Sequence, residues 1–377
     1  MNTPVYLDIH ALQTLPYSNV NRDDLGLPKV VEYGGVERTR VSSQSWKRAV
    51  RHQVETKLAD PAVRTRRIIT AVAERLTAQG WSSELAELAG RQVVAAAGKG
   101  IKLERDKEGQ LPSTSVLLYV PTKGLDELAR LAVDHEQELQ RITGQKNPKT
   151  VLPSDQVAEI LRSRNATINL FGRMLAELPG ADVDGAVQFA HAFTVHGTEV
   201  ETDFFTAVDD ILPADDRGSG HMNVGQFSAG TFYRYANVNL GTLLHNLEGD
   251  TATARELISE FLAGFLATVP GGKQTATGAM TVPELVYVAV RGDRPISFAP
   301  AFEQPVTSTQ GYSDKARTAL STYARRLHTL WGEDDLHFSA HAGFDGSDEA
   351  LPGLGERQDS YPRLRTEAIN AAFGAGR

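Results

Sequence analysis

The stretch Phe232-Tyr233-Arg234-Tyr235-Ala236-Asn237-Val238-Asn239-Leu240 alternates between two sets of side chains. A period of two is typical of a β-strand, because successive side chains point to opposite faces of a sheet. One face carries Tyr233 and Tyr235 with the two asparagines. Those tyrosines could stack nucleic-acid bases or pack under a helix. We favour packing, because a large helical segment elsewhere in the chain needs a surface to pack against.

Working outward from this strand, periodicity predicts a mixed α+β protein. The predicted elements are a half-buried strand at 5–10, a helix at 44–58 with an apolar stripe of Trp46, Val50 and Val54, strands at 187–195 and 232–240, a helix at 252–268 with Leu257, Ile258, Phe261, Leu262 and Phe265 buried, a strand at 285–291, and helices near 314–331 and 362–373. The first six follow the order strand, helix, strand, strand, helix, strand. This is the ferredoxin-like order of RNA-recognition-motif domains.

Two long insertions interrupt that order. Residues 60–180 are predicted to be mainly helical, with helices at 63–79, 82–97, 124–142, 154–163 and 167–178. Apart from the two insertions, turn residues predict a loop between the first strand and the first helix, from Pro16 to Gly35. The segment from Gly197 to Gly230 is rich in acids and glycine, and we interpret it as a protruding loop or hairpin. Long loops within a compact fold usually carry function.

Composition narrows the class of protein. The chain has 377 residues, a mass of 41.0 kDa and no cysteine, which excludes disulfides and thiolate-bound metal. It shows no signal peptide and no apolar run that could span a bilayer, so we expect a cytoplasmic protein without a membrane partner.

Charge is unevenly distributed. The net charge is -8, yet the segment from Val36 to Arg67 holds nine Lys/Arg against three Asp/Glu. A basic segment on an acidic protein indicates a localised phosphate-binding surface. Composition alone leaves open an amphipathic helix with a solvated basic face.

The predicted helix after Ser43 gives this surface a geometry. Gln44, Lys47, Arg48 and Arg51 are spaced by three and four residues, so they share one helix face. Unpaired backbone N–H groups at the helix N-terminus would also suit a phosphate. In the preceding Asn21-Arg22-Asp23-Asp24, Arg22 could reach a phosphate or pair with a neighbouring aspartate.

Other candidate motifs are weaker. Gly271-Gly272-Lys273-Gln274 lacks the spacing of a Walker A loop, and predicts either a glycine turn that offers Lys273 to a phosphate or a helix C-cap. Aspartates of the protruding segment could hold a divalent metal, but their spacing specifies no site: Asp203, Asp209, Asp210, Asp215 and Asp216. The histidines show no zinc spacing, and we favour a structural role for each. We therefore predict no cofactor and no metal.

Several motifs together resemble the CasC (Cse-type) backbone subunit of the type I-E CRISPR complex Cascade. They run in order along most of the chain: Leu7-Asp8-Ile9-His10, Asn21-Arg22-Asp23-Asp24, Gly34-Gly35, Arg38-Thr39-Arg40-Val41-Ser42-Ser43-Gln44, Lys47-Arg48-Ala49, Gly172-Arg173-Met174, Val183-Asp184-Gly185-Ala186, Ala190-His191-Ala192, the run from Phe204 to Asp210, the quoted strand, and Val269-Pro270-Gly271.

The resemblance implies a hand-like protein. A modified ferredoxin-like palm would comprise residues 1–58, 182–196 and 229–377, helical fingers residues 59–181, and a β-hairpin thumb residues 197–228. Copies would stack helically along one CRISPR RNA (crRNA), which stays available to pair with target DNA. The other implied partners are the remaining Cascade subunits: the large subunit, the small subunit, the subunit that binds the 5′ handle, and the crRNA-processing endonuclease.

Carried over by position, the resemblance assigns RNA-binding roles. The expected phosphate contacts are Arg22, Lys29, Gln44, Lys47, Arg48 and Arg51. Lys273 is a further expected contact, on the basis of its position after the glycine turn and not of the resemblance. Met174 would wedge beside a displaced base, while Phe204, Phe205 and Thr206 would belong to the thumb.

The resemblance implies that this chain catalyses no reaction. Related backbone subunits of type III complexes cut target RNA with an aspartate near the thumb. An endoribonuclease using Asp203 or Asp209 therefore stays open as the alternative.

Overall fold

The computed structural model describes residues 5–104, 110–146, 148–207, 221–344 and 351–374, and only the backbone of residues 205–207 and 221–223. It confirms a mixed α+β protein. The chain divides into two compact units, one of Met1–Gln53, Val187–Leu244 and Asp250–Arg377, the other of Val54–Ala186 and His245–Gly249. The division into palm, fingers and thumb stays a prediction.

The strands are β1 (Tyr6–Ser18), β2 (Val30–Tyr33), β3 (Val36–Val41), β4 (Ala62–Thr65), β5 (Leu103–Glu104), β6 (Ser113–Thr114), β7 (Leu118–Pro121), β8 (Val187–Phe189), β9 (Ala192–Thr194), β10 (Glu201–Ala207), β11 (His221–Asn239), β12 (Leu285–Arg291), β13 (Leu336–Gly343) and β14 (Glu356–Arg357). The helices are α1 (Ser43–Lys57), α2 (Ile68–Thr77), α3 (Ser83–Ala96), α4 (Thr122–Asp134), α5 (Glu136–Ile142), α6 (Ser154–Arg162), α7 (Ala166–Phe171), α8 (Leu240–Asn246), α9 (Thr251–Ala267), α10 (Gln274–Thr277), α11 (Ser313–Trp331) and α12 (Tyr361–Gly374), with a 3-10 turn at Ala299–Phe302. None of the helices in the described part of the chain combines the length and apolar character that a membrane crossing requires.

The first unit is built on one large sheet. Its strand order is β14-β13-β12-β1-β11-β9-β3-β2, with β8 and β10 also pairing with β11. The pairs are antiparallel except β13 with β14. The four strands predicted for the palm are therefore neighbours. The prediction of a loop from Pro16 to Gly35 was wrong in part, because β1 continues to Ser18 and β2 pairs with β3 across the Gly34-Gly35 turn. Strand β13 was not predicted.

The first strand is buried on both faces, which corrects the prediction of a half-buried strand. Leu7 and Ile9 are fully buried, and so are Asp8 and His10 on the opposite face. Asp8 Oδ1 accepts from the Tyr235 hydroxyl at 2.8 Å, and its carboxylate lies 3.3 Å from Arg291 Nε. Burial nevertheless raises the pKa of Asp8 to about 6.

The tyrosine face of β11 packs in the core, as the sequence suggested. Tyr233 and Tyr235 are buried in a cluster with Phe298 and Leu320. The Tyr233 hydroxyl accepts from the Phe298 N–H at 2.8 Å. The cover is α11 and the 3-10 turn of the same unit, so the expectation that inserted helices sit there was wrong. These rings are not available to stack bases.

The opposite face of β11 packs on α1 and α9. The predicted apolar stripe of α1 is fully buried at Trp46 and Val50. Arg234 projects from β11 between the Trp46 and Phe265 rings, at 3.7 and 4.3 Å from their centres. Its guanidinium donates to the Phe265 carbonyl at 2.7 Å and to Gln13 Oε1. Helix α1 is thereby fixed to the central strand.

The second unit is helical, with two small sheets that periodicity missed. Strand β4 pairs with β7, and β5 with β6. The predicted helix at 63–79 is instead β4 followed by α2. The one predicted at 167–178 ends before Gly172, whose φ is +77°. The core joins the buried faces of α2, α3, α4 and α6 through Val72, Val93, Leu128 and Leu161.

Candidate nucleic-acid interface

A short loop holds Arg22 against the start of α1. Asn21 Oδ1 accepts from the Ser42 N–H at 2.7 Å, and Asp23 Oδ1 accepts from the Leu25 and Leu27 N–H groups at 2.9 and 2.8 Å. Asn and Asp side chains commonly stabilise turns in this way. Arg22 is exposed, and the described residues offer no carboxylate within ion-pair distance of it. The alternative in which Arg22 pairs with Asp23 or Asp24 is therefore wrong.

Helix α1 presents part of its predicted basic face. Gln44 and Arg48 are exposed and Lys47 is half-buried. Arg51 differs, because only 7% of it is exposed and its Nη2 lies 3.4 Å from His52 Nε2. The structure thus gathers three of the four predicted side chains on an accessible surface. The assignment of Arg51 as a phosphate contact stays a prediction. Because Arg51 is buried, we expect it to contribute less to phosphate binding than Gln44, Lys47 and Arg48.

The N-terminus of α1 does not offer the open set of N–H groups that we expected. The Ser42 N–H is bound by Asn21, the Ser43 N–H donates to His191 Nδ1 at 3.2 Å, and the Ser45 N–H donates to Ser42 Oγ at 3.3 Å. The side chains that close the turn use the donors that a phosphate would need. Cationic side chains, more than the helix end, must carry any phosphate binding here.

Two further groups join this surface, Arg40 and His191, which lie in motifs quoted above but were given no RNA-binding role. Arg40 on β3 is next to Lys29, whose carbonyl accepts from the Arg40 N–H at 2.8 Å. His191 is exposed and immediately precedes β9. Desolvation lowers the pKa of His191, and the positive charges of Arg40 and Lys29 lower it further. Strand pairing brings these groups together, and periodicity does not reveal it.

Lys273 follows a glycine turn that packs on the Arg22 loop. A Cβ on Gly272 would lie 2.5 Å from the Val20 carbonyl oxygen, so only glycine fits this approach. Lys273 itself has a φ of +55°. Helix α9 ends in an extended C-cap at Thr268, which rules out the alternative that this turn caps the helix. Lys273 is therefore held near Val20 and the segment that carries Arg22.

The protruding segment contains a pair of antiparallel strands. In the β10–β11 pairing Phe204 lies opposite Val224, and both are exposed. Phe205 and Thr206 belong to β10, but their side chains lie outside the described residues, as do Asp209, Asp210, Asp215 and Asp216. Asp203 is exposed on β10. In the described ranges, no group of three or more His, Asp or Glu residues could hold a metal ion.

Met174 lies on the second unit and is 88% exposed. The backbone beside it is firmly held, because the buried Arg173 guanidinium donates to four backbone carbonyls, those of Ala181, Tyr119, Ser163 and Arg162. Burial of that guanidinium lowers the pKa of Arg173 to about 10. A large apolar side chain is thus displayed to solvent from a rigid support.

Comparisons with known proteins agree with this picture. The family model of the CT1975-like protein matches residues 7–358. A solved chain described as "CRISPR RNA-guided surveillance complex, pre-nicking" is 59% identical, with a TM-score of 0.93 over 98% of this chain and 100% of that one. Another, described as "CRISPR RNA-guided surveillance complex", is 51% identical, with a TM-score of 0.83 over 97% of this chain and 99% of that one. No curated protein matches. These matches confirm the resemblance to a Cascade subunit, and the chain belongs to the CT1975-like protein family.

Proposed function

We propose that this chain is the crRNA-binding backbone subunit of a type I-E Cascade complex, acts in the cytoplasm and performs no chemistry of its own. Two similar solved chains carry the description of a CRISPR RNA-guided surveillance complex. The observation that carries the RNA-binding role is the surface around the start of α1. There Arg22, Lys29, Arg40, Lys47 and Arg48 lie on elements that the hydrogen bonds described above hold together.

The chemistry of this surface suits a phosphate backbone. Lysine and arginine neutralise phosphates without reading base identity. The tyrosines that could have stacked bases are in the core. In an RNA-guided complex, base pairing reads sequence while the protein holds the backbone. We infer that the guide is gripped along its phosphates and keeps its base edges available to target DNA.

The finer architecture belongs to the same proposal. The strand order β12-β1-β11-β9 is that of a ferredoxin-like sheet, which supports a modified RNA-recognition-motif palm. We propose that the second unit acts as fingers and the β10–β11 pair as a thumb. Copies would form a helical array along the crRNA, as head-to-tail interfaces that do not close must do. The large, small, 5′-handle-binding and crRNA-processing subunits would complete the complex.

The test is a paired charge deletion. Lys47→Ala with Arg48→Ala should weaken binding of single-stranded RNA by about tenfold or more, whatever its sequence. It should also reduce the slope of log K against log salt by about 1.4, since each phosphate contact on a single strand contributes about 0.7. Arg325→Ala with Arg326→Ala removes the same charge from an exposed part of α11 and should leave both quantities unchanged. Equal affinity and slope in the two double variants would refute the proposal.

A separate assay distinguishes binding from cleavage. The assembled complex is incubated with Mg²⁺ and RNA complementary to the guide. Intact RNA is the expected result. Regularly spaced products that disappear in Asp203→Ala or Asp209→Ala would make this chain an endoribonuclease instead.

A further inference from the structure

His191 has a fixed orientation at the edge of the basic surface. Antiparallel pairing of Val41 with Ala192 brings the start of β9 next to the start of α1. There the Ser43 N–H donates to His191 Nδ1 at 3.2 Å. The imidazole is exposed and shares its surroundings with Lys29 and Arg40.

This hydrogen bond determines which ring nitrogen carries the proton. A backbone N–H can only donate, so Nδ1 must be the acceptor, and the neutral ring then carries its hydrogen on Nε2. Desolvation and then the nearby cations lower the pKa of His191, which favours the neutral ring. Within the described parts of the chain, the N–H at Nε2 has no hydrogen-bond acceptor. The two nearby cations, Lys29 and Arg40, carry only donors and cannot accept from it.

We propose that His191 donates a hydrogen bond from Nε2 to a phosphate oxygen of the bound RNA. The inference rests on the proposed function and adds a contact of a different kind. The lysines and arginines supply charge, whereas His191 supplies a directed neutral donor. Lys29 and Arg40 attract a phosphate to this place, and the Ser43 hydrogen bond keeps the ring in position to meet it.

Two isosteric variants separate the two nitrogens. In His191→Asn the side-chain oxygen can take the place of Nδ1 and still accept from the Ser43 N–H, but the donor at Nε2 is lost. In His191→Gln the amide nitrogen can reach the position of Nε2 and restore that donor. A role limited to capping α1 requires the acceptor alone, so Asn would then behave as wild type.

The experiment measures binding of the full chain to labelled single-stranded RNA over a range of salt. His191→Asn should weaken binding by about ten- to a hundredfold, the usual effect of one hydrogen bond to a charged acceptor. Its salt slope should equal that of wild type, since no cation is removed. His191→Gln should bind within about twofold of wild type. Equal affinity of His191→Asn and wild type would overturn the inference, with thermal unfolding confirming that both variants are folded.

Two controls assign the contact. On a DNA strand of the same sequence, the penalty of His191→Asn should persist. Its disappearance would move the contact to the 2′-hydroxyl and overturn the phosphate assignment. The Lys47→Ala, Arg48→Ala variant distinguishes the two levels of argument. If it loses affinity while His191→Asn does not, only this inference fails. If wild type itself retains no RNA, the proposed function fails as well.

Discussion

The guanidinium carbon of Arg234 lies 3.7 Å from the centre of the Trp46 ring, which ties the central strand β11 to helix α1. Arg234 is 1% exposed and carries its charge into the core without a carboxylate partner in the described chain. The ring faces of Trp46 and Phe265 and two hydrogen-bond acceptors replace water around it. This buried cation therefore helps to hold the helix that carries the basic surface, together with the apolar contacts of Trp46 and Val50.

Arg234→Ala should destabilise the protein strongly. The change leaves a cavity between Trp46 and Phe265 and removes the donor to Gln13 Oε1, so we expect a loss of about 3–5 kcal/mol in the free energy of unfolding. Urea denaturation measures this. Arg255→Ala is the matched control, since Arg255 also lies over a ring, that of Phe373 at 5.0 Å, but is only half-buried. It should cost less than about 1 kcal/mol. Equal losses in the two variants would contradict the role given to Arg234.

Asp8 should make stability depend on pH. Folding raises the pKa of Asp8 to about 6, chiefly by desolvation, so the folded state binds this proton more tightly than the unfolded state. Its stabilising contribution is complete below about pH 4 and is lost as pH rises through about 6. The difference in unfolding free energy between wild type and Asp8→Asn should therefore fall by about 3 kcal/mol over that window.

Asp250 provides a control of opposite sign. It caps α9, and hydrogen bonds from the Thr253 side chain and N–H lower the pKa of Asp250. Its contribution is present at neutral pH and is lost as pH falls. The difference between wild type and Asp250→Asn should thus rise with pH only below about 4, and stay level over the window in which that of Asp8→Asn falls. Parallel curves for the two variants would show that the burial of Asp8 does not govern its titration.

The glycine turn before Lys273 should tolerate a methyl group at one position and not at the next. Gly272→Ala places a Cβ 2.5 Å from the Val20 carbonyl and should cost about 1–3 kcal/mol of stability. It should also weaken RNA binding, because the turn separates from the Arg22 loop. At Gly271 an added Cβ meets nothing within 4 Å, so Gly271→Ala should change stability by less than about 0.5 kcal/mol. Identical behaviour of the two variants in chemical denaturation and RNA binding would exclude this packing.

Met174 should matter to the RNA and not to the fold. It is 88% exposed, so Met174→Ala should change stability by less than about 0.5 kcal/mol. If Met174 wedges beside a displaced base, the displaced bases of the crRNA should react with a chemical probe at regular intervals in the assembled wild-type complex. In Met174→Ala these bases should lose their excess reactivity. Leu330→Ala removes a side chain that is 89% exposed on α11 and should leave the pattern intact. A pattern unchanged by Met174→Ala would remove this residue from the site.

Elements with strong periodicity were predicted well, and elements that depend on distant partners were not. Strand β12 was predicted within its observed limits, and α9 within one residue. In contrast, β4 pairs with β7, more than fifty positions along the chain, and its short segment lies directly before a helix of the same apolar character. Strand β2 is mostly exposed, so it has no alternation to detect.

The candidate site follows the same rule. Helical spacing selected Gln44, Lys47 and Arg48 correctly as accessible neighbours. It could not show that Arg51 is covered, because that depends on what packs against α1. His191 was given only a structural role, because its contact with Ser43 joins residues 148 positions apart. Helical spacing therefore identifies the charged side chains of α1. Groups that reach the same surface through strand pairing, such as His191, can be identified only from the three-dimensional structure.

The burial of Tyr233 and Tyr235 beneath α11 has a consequence for how such a protein can be used. With those rings committed to its own interior, this part of the chain has no flat aromatic platform with which to prefer one nucleobase over another. On the proposed function, exchanging the guide would redirect the whole assembly to a new target without altering a single amino acid.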